Sequence, residues 1–305
     1  MLRDTYSGLA LAAFGALILT PDTLFMRLSG MDGFQMVAWR GLLMGALLLA
    51  AWVVLRGGRV GAEARALARP AGLVLVSCHL SNSLIFSFAI ANAPVPVVLF
   101  GLATVPVASA ILSRVVLGER THWSTWATTA AVLSGIALAV FGGGHGEVGG
   151  GGGALLGAVL GLSAAIVMAL NFVVIRGHPG LPVMPGIGTG AFCAGLVGLA
   201  VTGPADMTDG SVPAIAVTGL VILPVSFLSM SLASRMTATA NVSLLMLLET
   251  VLGPAWLWLF LDEPPTPPMI LGGAVVVISL AVYLCGMRWR GRRNAAMARA
   301  VAVWE

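Results

Sequence analysis

Ten runs of about twenty apolar residues, separated by short breaks, leave this chain few possible folds. A run of that length crosses about 30 Å of hydrocarbon as a helix, and in lipid only helices or closed barrels satisfy every backbone N–H and C=O. A barrel would show segments of about ten residues alternating in and out, whereas these runs are uniformly apolar and twice as long. The sequence therefore predicts an all-α membrane protein with helices near 6–28, 34–55, 71–92, 95–116, 123–141, 154–176, 183–202, 212–234, 238–261 and 269–287. Composition agrees, because 9% of the 305 residues are charged, against roughly 25% in a soluble domain. The first run is not read as a cleaved signal peptide: it is too long, carries Pro21 and Asp22, and leads straight into another span.

All sixteen basic residues are arginine. If the tail at 288–305 is cytoplasmic, ten crossings place the N-terminus inside as well. Fourteen arginines then lie inside: Arg3, the 56–69 loop, Arg114, Arg120, Arg176, Arg235 and the five of the tail. Only Arg27 lies outside, while Arg40 is within a helix. The positive-inside rule thus predicts a multi-pass protein of a bacterial-type inner (plasma) membrane with both termini cytoplasmic. The net charge of +4 points to anionic lipid rather than nucleic acid. Cys78, Cys193 and Cys285 fall within spans, and no disulfide, metal or cofactor is expected.

Residues 142–153 read GGGHGEVGGGGG, a composition too rich in backbone entropy to pack, and they are predicted as a linker. The linker separates a five-helix unit at 1–141 from a second at 154–287. At an offset of 149, Asp22 and Arg27 stand opposite Asn171 and Arg176. At an offset of 144, Glu119 stands opposite Glu263, and Thr104-Val105-Pro106 opposite Leu248-Glu249-Thr250. An odd number of spans per copy turns the second upside down, which predicts two inverted five-helix repeats around a central cavity, the architecture of secondary transporters.

Charges at membrane depth are expensive, so the few present carry information. Asp22 and Arg40 each lie about six residues from the 1–2 turn, roughly 9 Å below that surface, and can form an ion pair. The pair serves either to lock two helices or, through Arg40, to gate or to hold a substrate carboxylate. Glu249 joins them as a gating or ion-pair residue. His79, Asn82, Ser83 and Phe86 fall at i, i+3, i+4 and i+7 on one helical face, which either lines a polar cavity or forms a hydrogen-bonded seam. With Trp39 from the second helix and Asn171, Ser243 and Thr250 from the second half, they make up the predicted substrate path. Pro106 and Pro224 are expected to break their helices.

Thr104-Val-Pro-Val followed by Leu117-Gly-Glu-Arg120, together with Arg40 after Ala38-Trp39 and with Glu249, resembles the drug/metabolite transporter superfamily and its EamA-type exporters. Thr250 stands where that pattern usually has proline. The resemblance covers the whole chain and is greatest to the aromatic amino acid exporters. It implies a secondary transporter that exports small amphipathic metabolites, amino acids with aromatic or other apolar side chains, as a monomer. A multidrug exporter of the same fold, or a membrane scaffold or receptor without transport, stands as the other reading. An enzyme is not expected, since the chain has no GxSxG, no HExxH, no paired histidines and no phosphate-binding loop.

Overall fold

The computed structural model describes residues 2–93, 95–141, 152–261 and 267–301. Among these the chain is helical and forms no strand. The first half holds α1 (Leu2–Leu19), α2 (Asp22–Ser29), α3 (Gly33–Arg56), α4 (Val60–Leu67), α5 (Pro70–Asn92), α6 (Val95–Leu102), α7 (Val105–Leu117) and α8 (Trp123–Phe141). The second holds α9 (Gly152–Gly177), α10 (Val183–Thr202), α11 (Val212–Val217), a π turn at Thr218–Ile222, α12 (Leu223–Met236), α13 (Thr239–Met246), α14 (Leu248–Leu261) and α15 (Pro267–Val301). Of the predicted linker, 142–151 lies outside the described residues, while Gly152 and Gly153 already belong to α9.

Eight helical stretches among the described residues are long and apolar enough to cross a membrane. They correspond to the first four and the sixth to ninth predicted spans. The segments predicted at 123–141 and 269–287 are helical, as α8 and α15, which pack on each other, but neither is among the eight. Length and hydropathy among the described residues thus support eight of the ten predicted spans, and the last segment retains a shorter apolar helix at Ile270–Gly286. Large apolar side chains such as Val54, Val115, Leu259 and Val282 stand fully out of the bundle, an unusually apolar surface that suits contact with lipid.

Several single predicted helices are broken. The first divides at Thr20-Pro21, where proline supplies no N–H and Thr20 Oγ1 donates to Leu17 O at 2.8 Å. The fourth divides at Ala103-Thr104, so Pro106 sits in the first turn of α7 rather than kinking a helix interior. The eighth is interrupted by the π turn just before Pro224. The ninth divides at Leu247.

Tight backbone contact holds the layers together where lipid offers no hydrophobic drive between helices. α3 crosses α10 at Gly41 and Gly195, and a Cβ on Gly41 would lie 2.6 Å from Gly195 N. α9 runs through the middle against α5, α6, α7 and α12, with Phe172 and Ile175 fully buried. A burial pattern recurs between the two halves. The order of buried and exposed positions along 33–50 recurs position for position along 183–200, and that along 15–22 recurs along 164–171. The break after Leu102 likewise recurs after Met246, at the sequence offset of 144.

Candidate functional site

Asp22 and Glu249 occupy equivalent kinds of position: each lies in the first turn of a half-helix that begins after a break, α2 and α14 respectively. There the free N–H groups and the positive end of the helix dipole favour a carboxylate. Arg40 reaches them from α3, and its Nη2 pairs with Asp22 Oδ2. Arg40 Nη1 donates to Met26 Sδ at 3.0 Å. Asp22 is 2% and Arg40 8% exposed, so the pair is buried. Glu249, itself 7% exposed, lies within electrostatic reach of both.

These three groups line one cavity of about 70 Å³, with room for several water molecules. From the first half, α5 contributes His79, Asn82, Ser83 and Phe86, the face predicted at i, i+3, i+4 and i+7. From the second half come Met168 of α9, Ala191 of α10, Leu223 and Phe227 of α12, Met246 of α13 and Glu249 of α14. The His79 ring stands edge-on to Phe227, with centroids 5.2 Å apart and planes at 89°. Ser83 Oγ donates to His79 O at 2.9 Å, within its own helix. Three polar atoms on the cavity residues are buried with no partner among the described residues: Asp22 Oδ1, Arg40 Nε and Asn82 Oδ1. A dry, unpaired polar atom costs about 1–3 kcal/mol, more when charged.

Four residues of the predicted path lie off this wall. Trp39 turns away from its neighbour Arg40 and donates through Nε1 to Met207 O at 2.7 Å. Asn171 is buried in α9, with both amide atoms unpartnered among the described residues. Ser243 Oγ donates back to Thr239 O at 2.9 Å, and Thr250 Oγ1 to Leu247 O at 2.7 Å, each within its own helix or the break beside it. Sequence reasoning passed over Ser87 of α5, one position beyond the predicted face, and the methionines Met44, Met168 and Met246, which line the cavity from three different helices. Methionine in a cavity wall adapts to irregular ligands, but nothing in a uniformly apolar run distinguishes it from core packing.

The C-terminal end of α9 is tied to its neighbours. Arg176 Nε donates to Glu119 Oε1 at 2.8 Å and Oε2 at 2.9 Å, and its Nη1 donates to Thr237 O at 2.7 Å and Ser234 O at 3.2 Å. One side chain thus joins the α7–α8 turn, α9 and the end of α12. It lies eight residues, roughly 12 Å along the helix, from the cavity residue Met168. Ser113 and Thr239 share a hydrogen bond of 2.6 Å, and Tyr283 OH bridges Asn241 Oδ1 at 2.6 Å and Thr125 Oγ1 at 2.9 Å on the same side.

Comparison with known proteins agrees with this architecture. The EamA-like transporter family matches residues 6–141. A probable terminal-alkyne amino-acid exporter of Streptantibioticus cattleyicolor is 29% identical over 205 residues, 64% of this chain, and the match spans 65% of that protein's length. A solved crystal structure aligns over 92% of this chain and 97% of its own with a TM-score of 0.76 and 17% identity, a likeness of fold alone. Residues 6–141, the helical unit that carries Asp22, Arg40, the α5 face and the Thr104-to-Arg120 motifs, are thus similar to the EamA-like transporter family.

Proposed function

We propose that the chain is a secondary transporter that exports small amphipathic metabolites, amino acids with aromatic or other apolar side chains, by alternating access. The observation that carries this reading is the cavity itself: charged and hydrogen-bonding groups from broken helices meet apolar side chains at mid-bundle, and both halves of the chain contribute. The repeated burial pattern and the matching helix breaks support two copies of one unit. Five spans in each copy make the second inverted, and the arginine distribution supports both termini on the cytoplasmic side of a bacterial-type inner membrane. On that topology the Arg176–Glu119 tie lies at the cytoplasmic face, and opening toward the cytoplasm breaks it. The relative named as an amino-acid exporter supports the substrate class, and the methionine and phenylalanine walls suit an apolar side chain. The test is solute exchange by the purified chain in liposomes free of other protein, using L-phenylalanine, L-leucine and L-propargylglycine. Exchange of at least one of them above empty liposomes is the expected result; no exchange of any would overturn the reading.

A further inference from the structure

The cavity's unpartnered atoms describe a ligand. Asp22 Oδ1 and Asn82 Oδ1 are acceptors without a donor, and Arg40 Nε is a donor without an acceptor. Asp22 and Arg40 could satisfy each other fork to fork, yet the structure holds them end-on through Oδ2 and Nη2. Arg40 Nη1 is spent on a thioether sulfur, a weak acceptor that a carboxylate readily replaces. Glu249 adds a second carboxyl against one guanidinium, so the wall presents two acidic groups and one basic group. The carboxylates also occupy the two half-helix N-termini where an anionic ligand would otherwise be drawn.

We propose that this cavity holds the zwitterionic head group of a free α-amino acid, its ammonium among Asp22 Oδ1, Asn82 Oδ1 and Glu249 and its carboxylate on Arg40 Nε. This rests on the transport reading above and makes it specific. An ammonium has three N–H donors, one for each of these acceptors. The carboxylate takes the open edge of Arg40. The side chain then lies against Met44, Phe86, Met168, Phe227 and Met246. An acid without the amine leaves Asp22 Oδ1 and Asn82 Oδ1 without a donor. An amine without the carboxylate leaves Arg40 Nε dry.

The experiment is competition against tritiated L-phenylalanine exchange by the full chain in liposomes. Unlabelled L-phenylalanine should compete about tenfold or more better than 3-phenylpropionate or phenethylamine, the loss expected when a charged hydrogen-bonding partner is removed. Asn82→Ala should raise the half-saturation concentration about tenfold at an unchanged melting temperature. Glu249→Gln should narrow the gap between phenylalanine and 3-phenylpropionate, because it weakens an acceptor offered to the ammonium. Equal competition by all three compounds, or wild-type half-saturation and ranking in both variants, overturns the head-group assignment while leaving the transport reading standing. Absence of exchange of any apolar L-amino acid by the wild type overturns both.

Discussion

Substituting Gly41 by alanine tests whether the α3–α10 crossing sets the architecture. The added Cβ would lie 2.6 Å from Ala191 O and Gly195 N and 2.7 Å from Gly195 Cα, all backbone atoms that no rotamer change can move. Ordinary contact begins at 3.4 Å, so the two helices must separate by about 0.8 Å. A gap of that size forfeits roughly a quarter to a half of each dispersion well of about 0.1–0.2 kcal/mol along the seam. Overpacking of this kind costs about 1–3 kcal/mol, against a gain of up to about 1 kcal/mol from the better helix propensity of alanine. The net expectation is a loss of about 1–2 kcal/mol, read as a fall of a few degrees in the thermal unfolding midpoint in detergent. Gly195→Ala presses on Leu42 N at 2.4 Å across the same seam, and one separation accommodates both methyls, so the double variant should lose less than the sum. Gly61→Ala, on exposed α4 with nothing within 4 Å, is the control and should melt at or slightly above wild type. If Gly41→Ala melts as high as Gly61→Ala, the crossing is not close-packed and the reasoning fails.

Removing one member of the buried pair should be worse than removing both. Arg40→Gln leaves the Asp22 carboxylate dry and should cost about 3–5 kcal/mol, while Asp22→Asn with Arg40→Gln should recover folded yield in detergent; additive losses would show that the two do not support each other. At the other end of α9, Glu119→Gln should cost under about 1 kcal/mol, since Glu119 is 37% exposed and screened by solvent. Arg176→Ala also strips the donors from Ser234 O and Thr237 O and should cost about 2 kcal/mol, so equal melting of the two variants would place the tie in the ion pair alone.

Much of this was legible in the sequence because the bilayer makes a simple demand on it. Apolar runs marked the helices, and equal distances from a hairpin turn put Asp22 and Arg40 at one depth, where the structure pairs them. The α5 face followed from helical spacing, and His79, Asn82, Ser83 and Phe86 all line the cavity. What was not legible depended on rotation and on long-range packing. Trp39 and Thr250 are each next in sequence to a cavity residue, but the Trp39 indole is held by Met207 O and the Thr250 hydroxyl by Leu247 O. The break at Leu247 carries neither proline nor glycine, and only its counterpart at Ala103 in the first half would have exposed it. Pairing Arg176 with Arg27 across the repeat gave no hint that Arg176 meets Glu119, 57 residues away. α4, hidden in the arginine-rich loop, is eight residues long with Glu63 and Arg65 only two apart, too short and too weakly patterned to stand out.

Alternating access about this cavity is the central claim, and the reach of a thiol reagent into it is the most direct test. Ser83→Cys places a reporter on the cavity wall in a background where Cys78, Cys193 and Cys285 are alanine. Cysteines at positions 119 and 176, bridged by a bifunctional reagent, replace the Arg176–Glu119 tie with a covalent one. With the bridge in place, a membrane-impermeant thiol reagent should modify position 83 from the outside only; once the bridge is cleaved, it should do so from either side. Modification from the cytoplasmic side while the bridge is intact, or no modification from either side, would contradict the account.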